Sequence, residues 1–267
     1  MQNQWDYYSM VGFAPETHSP EELERLTISP EDTALFLDFD GTLIDIAPTP
    51  DAIRISDDDK KLLAALSERH NGAVSIVSGR NLKDVEQYLE EFTGTLSGGH
   101  GAELRHLAVQ LPGIECDLER LEHIKNVVRE FAIINPQLIA EDKSFGIVLH
   151  FRQDPSLEAK VREFLTGLVE GDDEFGLQAA KLAIEIKPKC ISKAHVIERI
   201  MSFDEFAGRT VLFAGDDETD EAGFAWVNEQ GGVSVKVGDG LTCAHYRTQS
   251  PETFKHWLWS QTGATGS

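Results

Sequence analysis

Basic residues and long apolar runs are scarce in this chain, and each scarcity excludes a class of protein. The 267 residues include 24 lysines and arginines against 46 acidic residues, which gives a formal net charge of −22. A field of that sign repels phosphate groups, so neither nucleic acid nor an anionic membrane surface is expected as a partner. No apolar run approaches the roughly 20 residues that a membrane-spanning helix requires.

Cysteine is also scarce. Cys116, Cys190 and Cys243 form no CxxC pair, which disfavours a disulfide framework or a structural zinc site and favours a reducing compartment. The first residues, MQNQWDYYSM, lack the basic start and the apolar stretch of a signal peptide. The sequence therefore predicts a cytoplasmic location, and nothing in it indicates an oligomeric state.

Strands alternate with helices in two parts of the chain. The continuous apolar runs TALFLDF and AVSIVS are typical of strands that are covered on both faces. Helical patterns follow each run, and TVLFAGDDETDEAGFAWVNEQGGVSVKVG repeats the order strand, acidic turn, helix, strand. This alternation predicts an α/β fold with a doubly wound parallel sheet of the Rossmann type, whose ligands bind beyond the carboxyl ends of the strands.

The middle of the chain has a different pattern, in which helices alternate with short strand pairs. Between Pro112 and Lys187 this pattern predicts a small α+β layer inserted into the sheet domain. The predicted organisation is a flexible N-terminal arm at 1–30, a core domain at 31–110 and 187–260, an inserted cap domain at 111–186 and a C-terminal tail at 261–267.

Two aspartates, Asp38 and Asp40, follow the first buried strand. Carboxylates two residues apart on an extended segment point to the same side, so a cation, a shared proton or open water must offset their repulsion. A simple acidic turn is the alternative for this pair alone. Three further features disfavour that alternative, because Ser78 ends the next buried strand, Lys193 opens a helix and GDDETD ends another strand.

This order of groups suits phosphoryl transfer through a carboxylate. One aspartate attacks phosphorus and a second protonates the leaving oxygen. Carboxylates also hold Mg²⁺, while a hydroxyl and an ammonium group hold the remaining phosphate oxygens. The cation and the substrate phosphate would then relieve the repulsion between the two aspartates.

The same residues carry a resemblance to a known family. DFDGTL, Ser78, Lys193 and GDDETD match, in order, the four motifs of the haloacid-dehalogenase-like phosphatases. The resemblance implies an enzyme that depends on Mg²⁺, with Asp38 as the nucleophile and Asp40 as general acid and then general base. It further implies Ser78 and Lys193 as catalytic phosphate-binding residues, Asp38, Asp216 and the Asp40 carbonyl as metal ligands, and Asp217 and Asp220 as their support.

The inserted layer narrows the resemblance to trehalose-6-phosphate phosphatases, which carry a type-2 cap. The stretches GGHGAE, AEDKSFGIVLHFR and KLAIEIKP support it. It implies hydrolysis of trehalose 6-phosphate, so that the expected partner is a small phosphorylated disaccharide. Charged side chains share faces of the predicted cap strands, where they either bind sugar hydroxyls or form a solvated surface. The predicted substrate-binding residues are Gly41, Thr42, Gly79, Arg80, His100, Glu103, Glu141, Lys143, His150, Arg152, Lys181 and Glu185.

Two alternatives stay open at this point. The first is another capped phosphatase, which acts on a sucrose or mannosylglycerate phosphate and which a substrate panel would distinguish. The second is a catalytically silent regulatory module that binds sugar phosphates. The sequence opposes the second alternative because every catalytic position is filled.

Overall fold

The computed structural model describes residues 17–46, 53–113, 116–180 and 182–263. They divide into two compact units, the first formed by the described residues up to Gly113 and from Ser192 onward, the second lying within Ile114–Ile191. The second unit ends later than the cap domain predicted at 111–186, because the whole of its last strand and the turn that follows belong to it.

The first unit begins with α1 (Pro20–Arg25), β1 (Thr33–Leu37), α2 (Asp57–Arg69), β2 (Val74–Val77), α3 (Leu82–Tyr88), β3 (Thr95–Gly98), β4 (Glu103–His106) and β5 (Val109–Leu111). The second unit contains α4 (Leu118–Ile134), β6 (Ile139–Lys143), β7 (Gly146–His150), α5 (Glu158–Val169), β8 (Phe175–Ala180) and β9 (Ala183–Pro188). The first unit resumes with α6 (Lys193–Ile200), β10 (Thr210–Gly215), α7 (Glu221–Glu229), β11 (Val233–Val237), β12 (Tyr246–Thr248) and α8 (Pro251–Gln261). None of the described helices combines the length and the apolar character that a membrane crossing requires.

An eight-stranded sheet in the order β12-β11-β10-β1-β2-β3-β4-β5 organises the first unit. The strands from β12 to β3 are parallel, and β4 and β5 extend one edge as antiparallel strands. The predicted α/β class with a doubly wound parallel sheet is confirmed. The antiparallel edge is an addition that the sequence analysis did not predict.

Helices cover both faces of this sheet. Alternate residues of β1 point to opposite faces, as the period of a strand requires: Leu35 and Leu37 pack with side chains of α1, α2, α3 and α8, whereas Ala34 and Phe36 pack with those of α6 and α7. Because both faces of β1 are covered, all five of its residues are buried. This explains the continuous apolar run TALFL.

The N-terminal arm was predicted to be flexible up to residue 30, and its described part, from residue 17, packs against the core of the first unit. Leu23 of α1 is only 2% exposed and Ile28 is also buried, both within the core cluster beneath α2 and α8. The Ile28 amide also donates to the Gln261 side chain. The short helix PEELER therefore packs against the core of the first unit through its single leucine. The composition of the arm did not indicate this contact. Residues 1–16 lie outside the described ranges.

The second unit has its own antiparallel sheet, in the order β6-β7-β9-β8. One face packs against α4 and α5 through Ile147, Leu149 and Ile184. On the other face of the sheet, Val148 of β7 pairs with Glu141 of β6 on one side and with Glu185 of β9 on the other. This unit therefore has a separate core and a sheet face on which Glu141 and Glu185 lie on the two strands that flank β7.

Candidate active site

The predicted motifs meet at the carboxyl edge of the parallel sheet. Asp38 follows β1, Ser78 follows β2 and Asp216 follows β10, and these three strands are neighbours. The Asp38 amide donates to the Ala214 carbonyl at 2.9 Å, which continues the ladder one residue beyond the strand. Adjacent parallel strands thus bring together residues that are far apart in the chain.

Lys193 joins the two acidic motifs. It is the first residue of α6, which begins after the N-cap Ser192, and its side chain is buried. Its Nζ donates to Asp38 Oδ1 at 2.7 Å and to Asp220 Oδ1 at 2.5 Å. The two carboxylates raise the pKa of Lys193, although burial opposes them. Lys193 is therefore a fixed positive charge beside the proposed nucleophile.

Asp220 and Asp217 shape the turn after β10. Asp220 Oδ2 accepts hydrogen bonds from the amides of Asp216 and Asp217, each at 3.0 Å. Asp217 caps the short 3₁₀ turn that follows, since its Oδ1 accepts from the Thr219 amide and hydroxyl at 2.8 and 2.6 Å. Both oxygens of Asp220 are thus engaged within the protein, and Asp217 acts on the backbone of the turn.

The carboxylates of Asp38, Asp216 and Asp220 each offer an oxygen within 4.8 Å of the others. Burial raises the pKa of Asp38 to about 7, against the lowering effect of Lys193, and raises the pKa of Asp216 to about 6. Burial also raises the pKa of Asp220 to about 8. Crowding and burial make these carboxyl groups harder to ionise, and in their ionised form they provide the hard oxygen donors that suit Mg²⁺.

Gly41 leaves the space that Asp216 occupies. Its φ of +76° lies in the left-handed region, and a Cβ at this position would lie 2.1 Å from Asp216 Oδ2. A larger residue would therefore be strained and would displace the carboxylate. The next residue, Thr42, is fully buried, and its hydroxyl has no hydrogen-bond partner among the described residues.

Arg80 contacts the proposed general acid. Its guanidinium forms a bidentate ion pair with Asp40, with Nε–Oδ2 at 2.6 Å and Nη2–Oδ1 at 2.7 Å. The ion pair raises the pKa of Arg80, and the guanidinium also lies over the Tyr88 ring at 5.7 Å. In this structure Arg80, predicted to bind substrate, holds the Asp40 carboxylate.

The segment around Ser78 is packed tightly. Ser78 is buried, and its hydroxyl accepts from the Arg80 amide at 3.1 Å. A Cβ on Gly79 would lie 2.5 Å from His100 Cε1, so only glycine fits beneath this ring. His100 adopts a φ of +56°, and its amide donates to the Ser78 carbonyl at 2.9 Å. The ring of His100 therefore lies beside Gly79, next to Ser78.

Glu103, which was also predicted to bind substrate, has a structural contact. Its Oε2 accepts from the Leu82 amide at 2.9 Å, at the start of α3. A carboxylate at a helix N-terminus satisfies an amide that has no partner within the helix. The structure thus places Glu103 as a cap of α3.

The predicted sugar-binding residues of the second unit form a connected group. Glu141 bonds His150 Nε2 through Oε2 at 2.8 Å and pairs with Lys143 through Oε1. These two partners lower the pKa of Glu141, with Lys143 contributing more. Burial raises the pKa of Glu185 on the same face of the sheet, although the nearby lysines lower this pKa.

Two other predicted residues do not join this group in the described structure. Arg152 was predicted to lie on a cap strand, which is wrong, because β7 ends at His150 and Arg152 lies in the turn that follows. Lys181 lies outside the described residues. Gln178 of β8, which the sequence analysis missed, is directly opposite Glu185.

The trehalose-phosphatase family model matches residues 36–252, which include the acidic motifs, Ser78 and Lys193. The chain belongs to the trehalose-phosphatase family. The trehalose-6-phosphate phosphatase of Escherichia coli (strain K12) is 35% identical over 244 residues, which make up 88% of this chain and 90% of that protein. A probable trehalose-phosphate phosphatase of Sinorhizobium fredii is 33% identical, over 81% of this chain and 82% of its own length.

A solved structure shares the fold of this trehalose-phosphatase family member. The C-terminal domain of C. albicans trehalose-6-phosphate phosphatase superposes with a TM-score of 0.74, over 94% of this chain and 99% of that chain, at 22% identity. The resemblance inferred from the sequence motifs is therefore confirmed at the level of family and fold.

Lys236 was not predicted from the sequence as a residue of the site. This lysine lies in β11, is 3% exposed, and donates to the carbonyl oxygens of Asp216 and Val237. The available signal was the charged residue within the apolar strand VSVKV, because a lysine is almost never fully buried without partners. The periodicity of a strand does not identify those partners.

Proposed function

We propose that the protein hydrolyses trehalose 6-phosphate to trehalose and phosphate, with Mg²⁺ as its cofactor. The observation that carries the proposal is the contact of Lys193 with both Asp38 and Asp220, beside the carboxylate of Asp216. This arrangement provides a nucleophile, a fixed positive charge and oxygen ligands at one place. Membership of the trehalose-phosphatase family supports the choice of sugar.

In the first step Asp38 attacks phosphorus. Lys193 holds Oδ1, which orients the carboxylate so that its other oxygen forms the new bond to phosphorus. The ester bond breaks, and the leaving sugar oxygen takes a proton from Asp40. Ser78 and Lys193 bind phosphate oxygens, and the product of this step is an aspartyl-phosphate on Asp38.

In the second step water attacks the aspartyl-phosphate. Asp40 accepts a proton from the water, the bond between Asp38 and phosphorus breaks, and phosphate leaves. The residues proposed to hold Mg²⁺ are Asp38, Asp216 and the Asp40 carbonyl. When bound, the cation neutralises phosphate charge, so that a carboxylate can approach an anion.

Recognition of the sugar is assigned to the second unit. One face of its sheet presents hydrogen-bond donors and acceptors, most of them charged, from Glu141, Lys143, His150 and Glu185. Charged groups form the stronger hydrogen bonds to hydroxyls, and a disaccharide presents many hydroxyls. Arg152 and Lys181 remain proposed ligands on the resemblance alone, and a cytoplasmic site of action stays a prediction from the sequence.

A substrate panel tests the proposal. Phosphate release is measured with trehalose 6-phosphate, sucrose phosphate, mannosylglycerate phosphate and glucose 6-phosphate, with and without Mg²⁺. We expect the highest kcat/KM with trehalose 6-phosphate. A preference for another sugar would reassign the substrate while keeping the chemistry. Binding of trehalose 6-phosphate without any phosphate release would instead identify a regulatory module.

A further inference from the structure

Lys236 is a buried lysine without a role in the reaction described above. It lies opposite Gly215, the last residue of β10, in the parallel ladder of β10 and β11. Its side chain is 3% exposed, so its amino group has lost most of its contact with water. Removing such a group from water is costly unless hydrogen bonds replace the lost ones.

The hydrogen bonds of Lys236 lie directly behind the acidic turn. Its Nζ donates to the main-chain carbonyl of Asp216 and to that of Val237, the latter at 3.0 Å. Neither acceptor is a carboxylate, so the lysine acts on the backbone of the turn. It thereby connects β11 to the first residue after β10.

Both main-chain groups of Asp216 are engaged in hydrogen bonds. Its amide donates to Asp220 Oδ2 at 3.0 Å, and its carbonyl accepts from Lys236. Its carboxylate lies against Gly41, where no Cβ fits. With both main-chain groups engaged, the side chain is directed toward Asp38, with which it forms the carboxylate cluster.

We propose that Lys236 is a positioning residue, which fixes the Asp216 backbone and thereby sets the affinity of the site for Mg²⁺. The inference rests on the proposed function only for the identity of the cation. Preorganised ligands bind a metal more tightly than ligands that must first be ordered, because the ordering cost is already met in the folded protein.

The test compares two buried lysines that bond main-chain carbonyls. Lys236→Met keeps the apolar stem and removes the donor. Lys125→Met is the matched control, because Lys125 in the second unit is 8% exposed and donates to the Lys143 carbonyl at 2.7 Å. Mg²⁺ binding is measured by calorimetry on the full chain without substrate, and urea unfolding shows that each variant is folded.

We expect Lys236→Met to weaken Mg²⁺ binding by about tenfold, the effect of losing one or two hydrogen bonds. Lys125→Met should leave Mg²⁺ binding unchanged. The direction of the change in Mg²⁺ affinity distinguishes positioning from a simple charge effect. Removal of a positive charge near the site would by itself strengthen Mg²⁺ binding. Unchanged or tighter binding in Lys236→Met overturns the proposal.

Two further measurements separate positioning from general damage. At saturating Mg²⁺ the kcat of Lys236→Met should recover to within about threefold of the parent, whereas its half-saturating Mg²⁺ concentration stays raised. If Lys236→Met does not fold, Lys236→Gln keeps a donor and should bind Mg²⁺ with intermediate affinity, and parental affinity overturns the proposal. A parent protein that binds no Mg²⁺ removes the proposed cofactor and this inference together, whatever its substrate.

Discussion

Both carboxylate oxygens of Asp40 accept hydrogen bonds from Arg80, at 2.6 and 2.7 Å. A carboxyl group that protonates a leaving oxygen must carry its proton on one of these two atoms. The bidentate contact therefore has to open before Asp40 acts as the general acid. While the contact is closed, Arg80 fixes the position of the Asp40 side chain. The effects of substituting the two residues should therefore depend on each other.

Arg80→Ala should lower kcat/KM for trehalose 6-phosphate by about 10–100-fold, part of the usual contribution of a general acid. The loss should be smaller with p-nitrophenyl phosphate, whose leaving group needs no proton. The control is a double-mutant cycle with Asp40→Asn, measured by steady-state kinetics. If the two losses simply multiply in the double variant, Arg80 acts independently of Asp40.

Asp38→Asn should abolish turnover and leave the fold intact, because the amide keeps the shape of the side chain and lacks the attacking oxygen. Lys193 keeps its contact with Asp220 in this variant, so its ammonium retains one carboxylate partner. The aspartyl-phosphate is assayed by acid quench and mass spectrometry of the peptide that contains residue 38. Turnover within tenfold of the parent would exclude Asp38 as the nucleophile.

Mg²⁺ binding should weaken as the pH falls below about 7. The pKa of Asp38 is raised to about 7 and that of Asp216 to about 6, mainly by burial, so both gain protons in this range. Protonated carboxyl groups are poor metal ligands, and protons therefore compete with Mg²⁺. Calorimetry between pH 5.5 and 8 measures the affinity, and a constant affinity would contradict the assignment of these ligands.

The raised pKa values of Asp38 and Asp216 also predict how the free energy of unfolding changes with pH. Without metal, the folded protein holds protons that the unfolded chain releases near its ordinary pKa of about 4. The contribution of these carboxyl groups to the free energy of unfolding therefore falls as the pH rises from about 4 to about 7. Urea unfolding in excess chelator should show this loss, and added Mg²⁺ should reverse it.

Glu141→Ala should lower kcat/KM for trehalose 6-phosphate by about 10–150-fold, the effect of losing a charged hydrogen bond. The rate with p-nitrophenyl phosphate should stay unchanged, because this ester has no sugar to bind. Asp142→Ala is the matched control, since Asp142 is the next residue of β6 and pairs with Arg129 of α4 at 2.9 Å. Equal effects of the two substitutions would mean that the sheet face that carries Glu141 is only a solvated surface.

The sequence by itself determined which motifs meet at the carboxyl edge of the parallel sheet. The run TALFL is apolar at every position because β1 is covered on both faces, and the residue after such a strand lies at the ligand-binding edge of a parallel sheet. The order of Asp38, Ser78, Lys193 and Asp216 along the chain therefore indicated a shared site before any distance was known. These are local patterns whose period and order survive in a linear sequence.

Only the tertiary structure decided what holds the site together. Arg80 reaches Asp40 across 40 residues, and Lys236 reaches the Asp216 carbonyl across 20 residues. Arg80 and Asp40 both lie beyond the ends of their strands, and the register of β10 and β11 pairs Lys236 with Gly215 and not with Asp216. The period of the sequence therefore encodes neither contact. Each contact depends on the rotamer of a long side chain and on the packing around it. The apolar pattern of a strand specifies which face is buried, but it leaves open which carbonyl or carboxylate a buried cation meets.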